Sequence, residues 1–211
     1  MICVSLGKTS IEEIKKIAGE NDIVEVRLDL NDFTSKDIKK IFGSSDNLIV
    51  TFRPGKKKDQ LRKNDLTAAI ISGAAYVDVE IDMDREMRDE IVETARQKGC
   101  KVIISYHNFI ETPEEKFLGG IVKSAFSIGG DIAKVACMVN SVDDNLLILS
   151  LYKNKGNVIA LGMGEHGRVT RILGEFFGSP LSYVSLDGKP TAPGQINVES
   201  FTKIVKGIKN G

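Results

Sequence analysis

The sequence predicts a single-domain α/β protein, a (β/α)8 (TIM) barrel that spans residues 1–211. One observation is that eight short runs rich in β-branched residues alternate with eight longer amphipathic segments, which is typical of a parallel sheet covered by helices. Another is that polar and charged residues recur at the carboxyl ends of these runs, where barrel enzymes place their active sites. An open doubly wound sheet shows the same alternation and is the alternative.

Strands and helices are predicted in strict alternation along the chain. The strands cover residues 2–6, 23–28, 48–52, 76–81, 101–106, 132–138, 158–161 and 181–186. The helices cover residues 10–18, 34–42, 65–72, 84–98, 113–127, 142–154, 168–177 and 198–208. Ser10 and Glu13 have the spacing of a capping box, and Thr112 stands where a helix N-cap belongs. Gly99 and Gly178 follow predicted helices, where a left-handed residue is favoured.

The charge balance excludes some classes of protein. The chain has 29 Lys and Arg against 29 Asp and Glu, so it lacks the excess positive charge on which general binding to nucleic acid or to a membrane surface rests. The run Lys56-Lys57-Lys58 is interpreted as a mobile, solvated loop. We expect no nucleic-acid partner and no membrane partner.

The cysteines and the N-terminus predict the cellular compartment. Cys3, Cys100 and Cys137 are odd in number and lack metal-ligand spacing, so we expect reduced thiols, as in a cytoplasmic protein. The first residues lack the features of a signal peptide. No stretch reaches the roughly 20 apolar residues that span a bilayer.

A lysine and a histidine on neighbouring predicted strands indicate the chemistry. Lys134 lies inside the apolar run 132–138, where its ammonium group must be desolvated. Such a lysine is usually paired with an acid or kept neutral as a nucleophile. His107 follows the strand at 101–106 and is suited to moving protons. The pair predicts an enzyme that forms a Schiff base and uses histidine as the general acid and base.

Further polar residues mark the same ends of the strands. Glu25, Arg27 and Asp29 share one parity and therefore face one side of their strand. Single charges there are explained by strand capping or salt bridges, whereas so many in register predict one site. The candidates at the strand ends are Ser5, Glu25, Arg27, Arg53, Asp78, Glu80, Ser105, His107, Lys134, Met163 and Ser185.

Two loops near the end of the chain carry motifs. Gly162-Met163-Gly164-Glu165-His166-Gly167 matches the dinucleotide pattern GxGxxG, but that motif normally opens a nucleotide-binding half and here one strand and one helix remain. A phosphate clasp after the seventh strand is another interpretation. Thr191 and Gln195 either flank a plain connector or contact substrate oxygens. Arg171 is either an exposed helix arginine or a carboxylate ligand.

The chain resembles the type I 3-dehydroquinase family. The resemblance runs in order from Ser5 to Gln195. It is carried by Glu25-Val26-Arg27-Leu28-Asp29, Thr51-Phe52-Arg53, Ser105-Tyr106-His107-Asn108-Phe109, Ala133-Lys134-Val135-Ala136, Met163-Gly164 with Thr170-Arg171, Phe177-Gly178-Ser179 and Ala192-Pro193-Gly194-Gln195.

The resemblance implies a barrel, commonly dimeric, that dehydrates 3-dehydroquinate as part of the shikimate pathway. We expect no metal or cofactor, because an iminium serves as the electron sink and no metal-ligand cluster is visible in the sequence. Lys134 would form the Schiff base, and His107 would remove a proton and protonate the departing hydroxyl. The remaining residues would bind substrate. Glu25, Arg27 and Arg53 would hold the ring hydroxyls, Arg171 would pair with the carboxylate with help from Gln195 and Thr191, and Ser5 and Met163 would line the site.

Two departures from the family pattern are visible. Thr191 stands where a serine is common, which keeps the hydroxyl. In the family, an acidic residue a few positions after the arginine equivalent to Arg53 commonly interacts with the catalytic histidine. Here residues 54–59 follow Arg53, and Asp59 is the one acidic residue among them. The partner of His107 is therefore open between Asp59, Asp78 and Glu80. A neutral Lys134 is needed for attack, and we expect its apolar strand and nearby arginines to favour that form.

Two other functions remain as alternatives. A Schiff-base aldolase on the same barrel would also use a strand lysine, but would usually need a phosphate clasp. A catalytically silent barrel that only binds a ligand is the second alternative.

Overall fold

Eight parallel strands form a nearly closed barrel surrounded by eight helices in one domain. The computed structural model describes residues 1–55, 59–154 and 156–211, so the interpretation of Lys56-Lys57-Lys58 lies outside the described residues. The hydrogen-bonded order runs from β7 through β6, β5, β4, β3, β2 and β1 to β8. The barrel is confirmed, and β7 and β8 face each other across its seam. The strands are β1 (Ile2–Leu6), β2 (Ile23–Arg27), β3 (Leu48–Thr51), β4 (Tyr76–Glu80), β5 (Lys101–Asn108), β6 (Ile132–Met138), β7 (Val158–Met163) and β8 (Ser182–Ser185).

The helices follow the predicted alternation. Ser10 caps the first helix by accepting from the Glu13 amide at 3.2 Å, and Gly99 ends the fourth with a φ of 70°. The helices are α1 (Ile11–Glu20), α2 (Ser35–Phe42), α3 (Asp59–Ile71), α4 (Arg85–Lys98), α5 (Glu115–Ile128), α6 (Val142–Ser150), α7 (Arg168–Phe176) and α8 (Val198–Asn210). Short 3₁₀ turns follow β2 at Leu28–Leu30 and α6 at Leu151–Asn154.

Several predicted boundaries differ from the structure, and three of them have a clear physical reason. Helix α3 begins six residues earlier than predicted, because its buried face continues through Arg62 and Asp65 rather than through apolar residues. The predicted N-cap Thr112 instead donates to the Met138 carbonyl at 2.8 Å, and α5 begins after Glu114. Strand β5 extends past its predicted end, so that His107 pairs in register with Ala136 of β6. His107 is therefore fixed by the sheet rather than by a loop.

Side chains alternate along the strands between the helix layer and the barrel interior. At the floor of the interior lies an apolar layer that includes Cys3, Ile23, Ile49, Tyr76, Ile103 and Ile132. Two residues further along each of these strands, the interior side chain is polar. These side chains are Ser5, Glu25, Thr51, Asp78, Ser105 and Lys134, all at most 4% exposed. The strand pattern thus builds a dry floor beneath a polar mouth.

The connection between β8 and α8 crosses the mouth at the seam. The Gly164 amide, just after β7, donates to the Pro193 carbonyl at 3.3 Å, and the Ser185 amide of β8 donates to the Ile196 carbonyl at 2.9 Å. Residues 193–196 therefore bridge the ends of the two strands that face each other across the seam. Across the described ranges of the chain, no helix combines the length and apolarity needed to cross a bilayer.

Candidate active site

A cavity of about 180 Å³ opens at the carboxyl ends of the strands, above the apolar floor. All ten residues named above as catalytic or substrate-binding candidates line it. Five residues that were not candidates line it too, and they are Phe109, Ala136, Leu161, Tyr183 and Ala192. Within the described part of the chain, no group of three or more His, Cys, Asp or Glu side chains is placed to hold a metal ion.

Lys134 lines this cavity and is 4% exposed. Its Nζ lies 2.9 Å from Oδ2 of Asp78 and 3.8 Å from Oε1 of Glu25. The ring centroid of Tyr183 is also 3.8 Å from Nζ. The charged groups nearest to Lys134 are therefore the carboxylates of Asp78 and Glu25, and not the arginines that we expected to lie beside it.

Arg53 joins the carboxylates of two neighbouring interior positions on β4. Its guanidinium forms a fork with Asp78, with both distances at 2.7 Å, and its Nη1 also contacts Glu80 at 2.7 Å and Ser105 at 3.0 Å. Burial alone would raise the pKa of Asp78, but Arg53 and Lys134 hold that pKa well below its usual range. Asp78 is thus a fixed negative charge that organises the site.

His107 has Glu80 as its acidic partner. Its Nδ1 lies 3.1 Å from Oε1 and 3.2 Å from Oε2 of Glu80. Burial and the charge of Arg53 lower the pKa of His107, while Glu80 opposes the shift. Asp59, one of the three acids left open by the sequence, begins α3 and lies 3.7 Å from Arg62 instead. A carboxylate on Nδ1 directs Nε2 of the ring towards a reacting group.

Arg171 brings an unpaired positive charge to the cavity wall. It lies on the first turn of α7 and is 4% exposed. Its Nη2 donates to the neutral Pro193 carbonyl at 3.3 Å, and its Nε is buried without a hydrogen-bond partner among the described residues. Burial lowers the pKa of Arg171 to about 10. A buried cation in this state is suited to binding an anion that enters the cavity.

A hydroxyl network connects the β8–α8 connection to the barrel wall. Glu25 accepts from the hydroxyls of Ser5 and of Thr51, the latter at 2.8 Å. The Ser5 hydroxyl also lies 2.7 Å from that of Thr191, and both the amide and the hydroxyl of Thr191 donate to Oε1 of Gln195. Thr191 thus places a hydroxyl and Gln195 an amide at the rim of the cavity.

Arg27 and Met163 complete the wall. Arg27 forms a fork with Asp29 at 2.9 and 2.7 Å, and its Nη1 donates to the Thr191 carbonyl at 3.3 Å. Met163 ends β7 and is 1% exposed. The arginine therefore links the strand end to the connection that crosses the mouth.

The glycine-rich loop after β7 is explained by close packing of its own backbone. A Cβ at Gly162 would lie 2.7 Å from Cα of Gly167, and a Cβ at Gly167 would lie 2.4 Å from the carbonyl carbon of Gly162. The Thr170 hydroxyl accepts from the Gly162 amide and donates to the Gly167 carbonyl, both at 2.7 Å. The glycines allow this tight turn, which places Arg171 at the cavity.

Of the missed lining residues, Tyr183 and Phe109 carry the most information. Tyr183 lies two residues before Ser185 on β8, so the alternation that identified Ser185 also points Tyr183 into the barrel. The Phe109 ring stacks on His107 with 6.2 Å between centroids and 16° between planes. No pattern in the sequence predicts that stack, since Phe109 lies beyond the end of the strand.

Fold and site together define a (β/α)8 barrel whose polar mouth holds a buried lysine, a carboxylate-bound histidine and an unpaired arginine. The family model described as "Type I 3-dehydroquinase" matches residues 2–210. The chain belongs to the type I 3-dehydroquinase family, and it is therefore an enzyme of the hydro-lyase class.

Individual relatives agree with this assignment. A 3-dehydroquinate dehydratase of Methanococcus maripaludis is 40% identical over 99% of this chain and 100% of its own, and one of Methanocaldococcus jannaschii is 39% identical over 97% of each. A Clostridium difficile type I 3-dehydroquinate dehydratase superposes with a TM-score of 0.86 at 26% identity, covering 99% of this chain and 92% of that one. The Aquifex aeolicus enzyme superposes with a TM-score of 0.82 at 29% identity, covering 98% of each chain.

Proposed function

We propose that this enzyme eliminates water from 3-dehydroquinate to give 3-dehydroshikimate through a Schiff base on Lys134. The observation that carries the proposal is the position of Lys134, buried at the barrel mouth between Asp78 and the cavity that also contains His107. The related Clostridium difficile enzyme was solved with covalently modified comenic acid.

In the first step the amine of Lys134 attacks the substrate ketone, and loss of water leaves an iminium. The ammonium must first give up its proton to His107, because only the neutral amine has a lone pair for the new bond. His107 then returns that proton to the carbinolamine hydroxyl, which leaves as water. The iminium carries the same positive charge as the ammonium that it replaces. Asp78 and Glu25, at 2.9 and 3.8 Å from Nζ, therefore face a positive charge both before the attack and after the iminium has formed.

In the second step His107 removes the proton from the carbon next to the iminium. The C–H electrons move into an enamine, and the iminium serves as the electron sink. These electrons then expel the β-hydroxyl as His107 returns its proton, so that water departs. Glu80 holds the ring through Nδ1. Attack of water on the conjugated iminium then releases the product and regenerates Lys134.

Substrate binding is assigned from the polar groups that line the cavity. Arg171 pairs with the carboxylate because its Nε has no partner among the described residues. Thr191 and Gln195 assist it from the rim, and Glu25 and Arg27 face the ring hydroxyls. Arg53 also lines the cavity and belongs to the same group of hydroxyl-binding residues. Its guanidinium is engaged by Asp78 and Glu80, so it organises these acids as well.

The wider biology follows from the reaction. We propose that the enzyme works in the shikimate pathway to aromatic amino acids, in the cytoplasm, as a homodimer and without a metal or cofactor. Light scattering coupled to gel filtration tests the dimer, and a mass near 23 kDa, that of one chain, would contradict it.

Incubation with 3-dehydroquinate tests the function directly. The conjugated enone of 3-dehydroshikimate absorbs in the ultraviolet, whereas the substrate does not have this chromophore. Absorbance should rise with the native enzyme and not with a Lys134→Ala variant. If no enone forms with the native enzyme, the proposed reaction is wrong, and an aldol cleavage assay becomes the next test. A deoxyribose phosphate aldolase from Aeropyrum pernix shares the fold at a TM-score of 0.61 and 18% identity.

A further inference from the structure

Tyr183 lies directly beneath the nitrogen of Lys134. The centroid of its ring is 3.8 Å from Nζ, and the two residues are 5% and 4% exposed. Tyr183 belongs to β8 and Lys134 to β6, so the contact reaches across the seam of the barrel. A cation this close to the face of an aromatic ring is attracted by the negative face of the ring, most strongly where water is excluded.

We infer that Tyr183 is a positioning residue whose ring face holds the Lys134 nitrogen in place, first as the ammonium and then as the iminium. This inference rests on the proposed Schiff-base function. Lysine has four flexible carbon–carbon bonds in its side chain, and two carboxylates, Asp78 and Glu25, attract its nitrogen from different strands. A ring beneath Nζ fixes the position of the nitrogen relative to the incoming ketone.

The ring has an advantage that the two carboxylates lack. A carboxylate stabilises a neighbouring ammonium group, but it does so through a hydrogen bond. This hydrogen bond must break before the nitrogen can attack the ketone. The face of a ring stabilises the cation without forming such a directional bond. The ring therefore supports the ammonium and the iminium alike, and it leaves the other side of the nitrogen open to the substrate.

The hydroxyl of Tyr183 does not explain the presence of this residue. Its Oη is buried and has no hydrogen-bond partner among the described residues, which is unfavourable for a polar group. Burial also raises the pKa of this phenol well above its usual value, so the group does not exchange protons near neutral pH. The useful part of the side chain is its ring, and phenylalanine should replace it.

The test compares Tyr183→Phe and Tyr183→Leu with the native enzyme. Each protein is mixed with 3-dehydroquinate and borohydride, and the rate of adduct formation on Lys134 is followed by mass alongside kcat and KM. Tyr183→Phe should stay within about twofold of the native enzyme. Tyr183→Leu should lose about ten- to thirtyfold in trapping rate and in kcat, the worth of a desolvated cation–π contact, with KM little changed because Arg171 is untouched.

Tyr76→Leu is the matched control for lost packing. Tyr76 is a buried tyrosine of the same apolar layer, 7% exposed, and its ring faces Lys101 rather than Lys134. It should lose a similar amount of thermal stability while its trapping rate stays native. A second series replaces Tyr183 by phenylalanine with one to three ring fluorines, which weaken the negative face at nearly constant volume. Trapping should slow with each fluorine, including in proteins whose melting temperature is unchanged.

Two results would overturn the inference. One is a Tyr183→Leu or fluorinated protein that traps substrate at the native rate. The other is a Tyr183→Phe protein as impaired as Tyr183→Leu, because the hydroxyl would then be the active part. Failure of the native enzyme to form any adduct on Lys134 is a separate result, and it would contradict the proposed function itself.

Discussion

Among the residues that the structure describes at the barrel mouth, most basic side chains pair with a carboxylate, whereas Arg171 does not. Arg27 is paired with Asp29, and Lys134 lies between Asp78 and Glu25. Arg171 instead donates to a neutral carbonyl. A buried guanidinium without an anion lowers the stability of the folded protein and raises its affinity for a carboxylate. Function and stability should therefore respond in opposite directions when this charge is removed.

Arg171→Ala should lower kcat/KM and leave the melting temperature unchanged or raised. We expect a loss of roughly 2–5 kcal/mol of binding or transition-state stabilisation, the range for unpairing a desolvated charge pair. Steady-state kinetics and thermal unfolding provide the two measurements. Arg168→Ala, an exposed arginine on the same turn of α7, is the control. A native kcat/KM in Arg171→Ala would reduce Arg171 to a structural residue.

Glu80→Gln should slow turnover and shift its pH dependence. Burial and Arg53 lower the pKa of His107, whereas Glu80 raises it. Removal of the Glu80 charge should therefore lower this pKa further. Because the base must be neutral, activity falls on the acid side of the His107 pKa, and in the variant this acid limb should move to lower pH. The rate should fall by roughly 10²–10⁴-fold, as for a disabled general base. Asp59→Asn, remote on α3, should leave the profile unchanged, and an equal effect there would contradict the assignment of Glu80.

At the scale of elements, the β8–α8 connection depends on one close backbone contact. Gly194 has a φ of 72°, and a Cβ there would lie 2.1 Å from the Gly164 carbonyl oxygen. Gly194 lies between Ala192 and Gln195, which both line the cavity. The sequence left open whether this stretch is a plain connector, because its turn residues look the same in both cases and the contact partner lies 30 residues earlier.

Gly194→Ala should impair catalysis more than the backbone strain alone explains. Gly188→Ala is the matched control, since Gly188 has a φ of 64° in the same connection but open space around its Cα. Both variants should lose roughly 1–2 kcal/mol of stability from a left-handed alanine. Only Gly194→Ala should raise KM by tenfold or more. Its Cβ would clash with Gly164, so the β8–α8 connection must shift away from the cavity. Equal KM values in the two variants would show that the contact has no functional role.

The ends of helices and strands were predictable where a capping residue next to the boundary determines them. Ser10 and Gly99 mark helix ends through their own chemistry, and both ends are confirmed. The predicted capping box is only half formed, because the Glu13 carboxylate accepts from Thr9 and Lys189 instead. The start of α3 was missed because Arg62 and Asp65 occupy its buried face, and a hydrophobic pattern does not include charged residues. Strand β5 was predicted too short because His107 and Asn108 are polar, yet they pair with β6 at the mouth.

At the scale of the whole molecule, the barrel topology predicted that site residues from different strands would meet in one place. Parallel strands in a barrel bring their carboxyl ends together, so residues far apart in the chain were expected to share one cavity. The topology did not predict which acid contacts His107. Asp78 and Glu80 are two residues apart on β4, so both side chains face the barrel interior. The choice depends on Arg53, whose fork occupies Asp78, and this contact becomes visible only in three dimensions.

The buried charges also predict how stability depends on pH. In the folded protein the pKa values of Asp78, Glu25 and Glu80 are lowered by the cations around them, and that of His107 is lowered by burial. A group whose pKa is lower in the folded than in the unfolded protein contributes stability at pH values above its unfolded pKa. This contribution is lost as the pH falls towards its folded pKa. The melting temperature should therefore begin to fall below about pH 6.5 and drop steeply below about pH 4.5. Constant stability between pH 7 and 4 would contradict the charge network.

The central claim, that Lys134 carries the substrate and His107 moves its protons, is tested most directly by borohydride trapping. The native enzyme with 3-dehydroquinate and borohydride should gain a stable adduct on the peptide that contains Lys134, and Lys134→Ala should gain none. Without borohydride, His107→Ala should accumulate a covalent adduct seen in the intact mass, since the imine forms but elimination slows by ~10²–10⁴-fold. An adduct on Lys101 or Lys153, or native turnover in His107→Ala, would contradict the account.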